Sequence, residues 1–127
     1  MTKVYVAGPL TSSGDVERNV RKAVIAGDMV VKAGMVPFIP HLCVMWNMIT
    51  SMEYSYEHWV RWDLVWLRQC DVLLRLKGRS NGTERECIEA RNQGIPIIYW
   101  DVNDPECTPE KLKEEVLSLL QKGKGSQ

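Results

Sequence analysis

Apolar residues gather in four short runs, and the segments between them carry a helical period. Lys3–Ala7 is short, β-branched and broken by Gly8-Pro9, which predicts a first strand ending in a turn. Gly14 and Asp15 open a helix that runs to about Lys32. Val16, Val20, Val24 and Val31 fall near one of its faces, with Ala23 and Gly27 beside them. Gly34 ends that helix, and residues 35–39 predict a second strand stopped by Pro40. Residues 41–54 read as an apolar loop bearing Met and Trp, and a helix follows over about 56–69. Val72–Leu76 is an uninterrupted strand, 78–82 a polar turn, 83–92 a helix closed by Gly94, and 95–100 the next strand. An amphipathic helix over 109–121 closes the domain. Residues 122–127 have no apolar anchor and are expected to be disordered.

The strands show no alternation of polar and apolar residues. Strands buried on both faces have this pattern, so the sheet is expected to be parallel with helices on both sides. The expected fold is a small doubly wound α/β sandwich, Rossmann- or flavodoxin-like, forming one domain over residues 1–121. Ligands in such folds bind beyond the carboxyl ends of the strands, where neighbouring crossovers diverge. That points to two turns, one after Ala7 and one after Leu76.

Composition narrows the function more than the fold. The 127 residues (14.6 kDa) suit one domain, and a chain of that size buries roughly two-thirds of its unfolded surface without a disulfide or metal. Sixteen Lys and Arg offset sixteen Asp and Glu. This balance excludes a nucleic-acid-coating protein or a polybasic membrane binder, yet leaves room for a small phosphorylated ligand. Cys43, Cys70, Cys87 and Cys107 form no CxxC pair, so neither a zinc knuckle nor a thioredoxin-type site is expected. With no secretory signal, a reducing cytoplasm is the expected compartment. Residues 33–52 carry no Lys, Arg, Asp or Glu and nearly reach bilayer length. Pro37, Pro40, His41 and Asn47 interrupt them, and a buried strand with an apolar loop is the better account.

Three clusters carry candidate chemistry. The turn over 8–14 leads into a helix, where backbone N–H groups and hydroxyls make a natural anion site. It is neither a GxGxxG nor a Walker sequence, and an ordinary connection capped by Ser13 or Asp15 fits equally. In the turn over 79–86, Gly82 permits close backbone approach. Glu86 is expected in the first helical turn, where the dipole favours the ionised form suited to a nucleophile or general base. The same spacing fits a capping box, with Thr83 as cap and Glu86 at the third position. Both readings stand on spacing alone.

The third cluster places Asp63 on one helix face with Trp66 and Leu67, both expected in the core. Burying a carboxylate there is costly, so Asp63 either sits at the stripe's edge or orients a hydroxyl in a pocket. Asp71 is expected in a turn. His41, at the carboxyl end of the second strand, either lines the pocket or is a hydrogen-bonded packing residue, and His58 is expected to be exposed. Trp46, Trp59 and Trp62 flank the apolar loop, where they either stack a base or bury a dimer contact. No His, Cys and acid cluster has metal-ligand spacing and no nucleophile elbow is present; neither a metal nor a cofactor is expected.

Taken together, these segments resemble the nucleoside 2-deoxyribosyltransferase superfamily, which includes the deoxynucleoside 5'-monophosphate N-glycosidases. Tyr5-Val6-Ala7-Gly8-Pro9-Leu10 looks like its opening strand and turn. Asp63-Leu64-Val65-Trp66-Leu67 with Cys70-Asp71-Val72 is similar to its D-L-x-W-L-x-x-x-D-V segment. Ser80-Asn81-Gly82 with Glu86 and Ala90 matches S-x-G-x-x-x-E-x-x-x-A, and Gly94-Ile95-Pro96 continues it.

The resemblance implies that Glu86 attacks the anomeric carbon, that Asp63 assists, and that Tyr5 stands beside the sugar. Gly8, Pro9, Leu10, Ser80 and Gly82 would line the sugar or phosphate side, with His41 added as a pocket residue. The partner implied is a small nucleoside or nucleotide, cleaved by hydrolysis or by transfer of the sugar to a second base. No nucleic-acid or membrane partner is implied. Departures are Cys87 and Ile88 after the glutamate, and a first turn without arginine. Gly82-Thr83-x-x-Glu86 also resembles the G-T-x-x-E of cytokinin-activating phosphoribohydrolases, although Arg79-Ser80-Asn81 replaces their glycines. A non-catalytic nucleotide-binding domain is the remaining alternative. Superfamily members are dimers or larger, and a homodimer through residues 41–54 is expected, because that uncharged loop would be a liability on a monomer.

Overall fold

The computed structural model describes residues 1–12 and 14–125. In chain order its elements are β1 (Lys3–Ala7), α1 (Val16–Lys32), β2 (Val36–Phe38), a 3-10 turn (Pro40–Leu42), α2 (Cys43–Ile49), α3 (Tyr56–Leu67), β3 (Val72–Leu76), α4 (Asn81–Asn92), β4 (Ile97–Trp100) and α5 (Pro109–Gly125). The strands form one sheet in the order β2-β1-β3-β4, every pair parallel. Tyr5 lies opposite Leu73 and Ala7 opposite Arg75. This is the expected doubly wound α/β fold, with its switch point between β1 and β3.

The two faces of the sheet bury different sets of residues. On one face Val4, Val6, Val72, Leu74, Leu76, Ile98 and Trp100 pack against Ala23, Ala26 and Val30 of α1 and Leu112 and Val116 of α5. On the other, Tyr5, Ala7 and Leu73 pack against Leu67 of α3 and Cys87 and Ala90 of α4. Alternate residues of each strand point to opposite faces, so both sets are apolar and the strands read as continuous runs.

Several expectations are corrected. The buried stripe of α1 is Asn19, Ala23, Ala26, Gly27 and Val30, while Val24 and Val31 are exposed. Small side chains let this helix sit close to the sheet, while Val24 and Val31 turn outward. Asp15 caps the helix, accepting from the Arg18 N–H at 3.0 Å; Ser13, the alternative cap, lies outside the described residues. Residues 41–54 are not a loop. Pro40 begins a 3-10 turn that runs straight into α2, and neither has a side-chain cap. The helix closes as a Schellman motif, with Met52 N–H donating to Asn47 O at 2.8 Å and Ser51 N–H to Met48 O at 3.1 Å. Ser51 occupies the left-handed position (φ 56°) where glycine is usual. At the other end of the chain α5 continues to Gly125, past the expected end at Gln121, and the last two residues of the tail lie outside the described residues. Residues 33–52 are thus divided among a strand, a turn and a short helix, and among the described residues no helix is long and apolar enough to cross a membrane.

Candidate functional site

The turns that follow β1 and β3 are laced together at the switch point. A Cβ on Gly8 would lie 2.9 Å from Leu76 Cβ, so only glycine lets the strand ends approach this closely. Pro9 packs over Gly78, and Ser12 Oγ donates to Arg79 O at 2.6 Å. Asn19 Nδ2 donates to Leu10 O at 2.7 Å and ties the first turn to α1.

Beyond these turns opens a cleft of about 640 Å³, walled by Gly8, Leu10 and Ser12 on one side and by residues of α2, α3 and α4 on the other. It collects Gly8, Leu10, His41, Asp63, Ser80, Gly82 and Glu86 from the residues singled out in the sequence. Two others stand off the wall. Pro9 turns its ring onto Gly78, leaving its carbonyl to face His41. Tyr5 is wholly buried, with its hydroxyl beside Glu86 rather than on the cleft surface.

Helix α4 starts earlier than its spacing suggested. Ser80 is the cap, its Oγ accepting from Thr83 N–H at 3.2 Å. Thr83 is therefore the third helical residue, and Glu86 the sixth, in the second turn. The capping-box reading is overturned, because a side chain there cannot reach the free N–H groups of the helix start. Ionisation by the helix dipole goes with it, since that effect fades beyond the first turn. Gly82 has no positive φ. A Cβ there would meet only Tyr56 Oη at 3.5 Å and Ser80 Oγ at 3.7 Å, so nothing in the protein itself demands a glycine. The space it leaves faces the cleft.

Three polar groups from three elements converge below the cleft. Tyr5 Oη, Asp63 Oδ1 and Glu86 Oε2 are all buried, and none has a hydrogen-bond partner. Burial pushes the Glu86 carboxyl up to about 8, with the Asp63 charge adding to the rise; the Tyr5 hydroxyl and the Arg75 guanidinium pull it partly back. Tyr5 and Glu86 thus interact, although the pair falls outside hydrogen-bond geometry. Burial alone raises Asp63 to about 7. Tyr5 is held well above the usual phenol value, first by burial and then by the two acids. Contrary to the expectation of an ionised glutamate, the site keeps protons on its carboxyls near neutrality. Arg75, on the same sheet face, donates to Leu76 O and, at 3.1 Å, to Glu84 Oε1.

His41 is buried, and its Nε2 lies 3.0 Å from Gly8 O and 3.2 Å from Pro9 O. Tyr54, Tyr56 and Trp59 also line the cleft, and Trp59 belongs to a wider aromatic cluster. Trp46, Trp59 and Trp62 meet edge to face with centroids 5.4–5.9 Å apart, and Trp59 Nε1 donates to Asn47 Oδ1 at 3.2 Å. His58, expected to be exposed, is half-buried and stacks on Tyr54 at 4.6 Å. Trp66, expected in the core, lies half-exposed on Phe38 at 5.3 Å, leaving Leu67 as the buried anchor.

Sequence reasoning missed several lining residues. Thr83 is buried with its Oγ1 unpartnered, and Arg85 pairs with Glu57 at 3.2 Å. Arg85 is the one Lys or Arg among the described residues that line the cleft. Its place beside Glu86 in the chain was the available signal. Among the described residues no group of three His, Cys, Asp or Glu could hold a metal.

No curated protein matches the chain. Among solved structures it is similar to a 2-deoxyribosyltransferase from the psychrotolerant bacterium Bacillus psychrosaccharolyticus. The TM-score is 0.60 at 20% identity, covering 79% of this chain and 72% of that one. The two share the doubly wound fold that the sequence resemblance implied. Residues 2–100, spanning the sheet from β1 to β4, match the family described as a domain of unknown function, DUF7768, and the chain belongs to that family.

Proposed function

We propose that this protein cleaves the N-glycosidic bond of a deoxynucleoside or its 5'-monophosphate, with Glu86 as nucleophile. The observation that carries the reading is the convergence of two unpartnered buried carboxyl oxygens, from Asp63 and Glu86, on the Tyr5 hydroxyl at the switch-point cleft. A buried polar atom without a partner costs stability, and here three such atoms lie near enough for the two acids to raise the Tyr5 pKa. The likeness to a 2-deoxyribosyltransferase supports the same chemistry through the fold.

In the reactive form the pair shares one proton, held by Asp63 with Glu86 ionised, the less populated of the two one-proton states because Glu86 is the weaker acid. Glu86 attacks the anomeric carbon, the C–N bond breaks, and its electron pair leaves on the base, which takes the proton from Asp63. The product is a glycosyl ester on Glu86. Water or a second base then attacks the anomeric carbon and releases the carboxylate, returning a proton to Asp63. Tyr5 steadies the ionised Glu86. The oxocarbenium-like transition state needs a close carboxylate, which the cleft supplies.

Arg85, which lines the cleft while paired with Glu57, and the first N–H groups of α4 beside the one that Ser80 caps favour a 5'-monophosphate over the free nucleoside, because both are donors to an anion. A homodimer through α2 belongs to the same reading: Met45, Met48, Ile49 and Met52 are all exposed there. A monomer in sedimentation at micromolar concentration would remove that part. Incubation with a panel of nucleosides and 5'-monophosphates, read as free base released, tests the function. Release from ribonucleoside monophosphates alone would favour a phosphoribohydrolase, and binding without release a non-catalytic domain.

A further inference from the structure

The two nitrogens of His41 have different surroundings. Nε2 faces the carbonyl oxygens of Gly8 and Pro9, at 3.0 and 3.2 Å. Neither oxygen can donate, so Nε2 carries a hydrogen and donates to both. In a neutral ring Nδ1 then has only a lone pair. Burial holds the His41 pKa below its ordinary value, which keeps the ring neutral at pH 7. Nδ1 is buried and unpartnered, and the residue, only 4% exposed, belongs to the cleft wall. Turning the ring over would set a carbon against the two carbonyls, so the lone pair cannot be traded for the N–H. The α4 end of the cleft offers donors in Arg85 and the helix N-terminus. His41 offers the opposite polarity.

We propose that His41 is a fixed hydrogen-bond acceptor that takes a neutral donor of the bound nucleoside, the 3'-hydroxyl or a base N–H, and so sets the ligand's orientation. A lone pair repels phosphate, and the 5' end of the ligand therefore belongs at the α4 end, with the donor turned to His41. This inference rests on the nucleoside reading above, and its tests separate the two.

The sequence has two histidines, so the imidazole nitrogen NMR spectrum of the uniformly labelled protein is simple, and the signals that His41→Gln removes are those of His41. In the free protein Nε2 of His41 should give a pyrrole-type signal and Nδ1 a pyridine-type one. Saturating 2'-deoxyinosine, added to Glu86→Gln protein so that the nucleoside stays whole, should move Nδ1 towards the hydrogen-bonded range and leave Nε2 in place. A proton on Nδ1 in the free protein overturns the proposal. So does an unmoved Nδ1 while other resonances report bound nucleoside. Base release by Glu86→Gln protein would refute the nucleophile while leaving the His41 readout standing. No binding of any deoxynucleoside or deoxynucleoside 5'-monophosphate would take down the functional reading and this proposal together.

His41→Gln keeps an amide N–H near the Nε2 position but has no acceptor at the Nδ1 position, so its affinity for 2'-deoxyinosine should fall roughly tenfold with folding intact. If the 3'-hydroxyl is the donor, 2',3'-dideoxyinosine should bind both proteins equally. If the base N–H is the donor, 1-methyl-2'-deoxyinosine should do so instead. A loss that neither analogue removes, or no loss at all, overturns the proposal.

Discussion

The two faces of the sheet are built from the same kind of strand and serve different ends. Towards α1 and α5 the core is apolar apart from Asn19, whose amide donates to Leu10 O, and the Trp100 indole N–H reaches Met29 Sδ at 3.4 Å. Towards α3 and α4 the interior holds a tyrosine hydroxyl and two carboxyls with unpartnered atoms. The first face maximises stability. The second gives some of it up by holding polar groups out of water with nothing of the protein's own to bind. The difference separates the residues that hold the fold from those available for chemistry.

The sharpest way to break the comparison is Glu86→Ala. Base release should fall at least the ~10²–10⁴-fold typical of removing a positioned acid–base group, with folding kept. Near-wild-type release from a folded variant would locate the chemistry elsewhere. On the opposite face, Leu74→Ala should do the reverse. It should lower unfolding free energy by about 2–5 kcal/mol in denaturant titration, with turnover per folded molecule unchanged. A smaller effect sharpens the contrast through pH. Glu86 has a folded pKa of about 8 against an ordinary value of 4.5. Its protonated form is favoured in the folded state, so this contribution is complete below pH 4.5 and is lost as pH rises towards 8. Glu86→Gln should flatten that slope and stabilise the protein at pH 8 by about 2 kcal/mol or more, visible in unfolding curves at pH 5 and 8. Least of all, Ser80→Ala should cost about 1 kcal/mol by removing the α4 cap. An unchanged stability would return the cap to Thr83.

How far these features are legible depends on how local their causes are. β1 and β3 are apolar runs bounded by glycine turns, and their pairing and burial follow from that alone. The cap of α4 lies three residues before the one that spacing suggests, because Ser80 and Thr83 both suit a cap and only the fold decides which faces the free N–H groups. Helix α2 is hidden in the sequence because it has no side-chain cap, no charges to mark a polar face and no glycine at its end. The protonation of Glu86 depends on burial under β1, α3 and α4 together, and no window of sequence contains that. Asp63 and Glu86 are still identifiable as candidates, since an acid on an apolar stripe and an acid after a glycine turn are each local irregularities.

The lacing of the two turns has a consequence for redesign. One wall of the cleft is a seam closed at Gly8–Leu76, Pro9–Gly78 and Ser12–Arg79, where an added atom would force two strands apart. The other is formed by side chains of α2 and α3, among them Cys43, Val44, Asn47 and Trp59, with no such backbone seam. A library meant to admit a bulkier ligand should therefore vary Cys43, Val44, Asn47 and Trp59 and leave residues 8–12 alone.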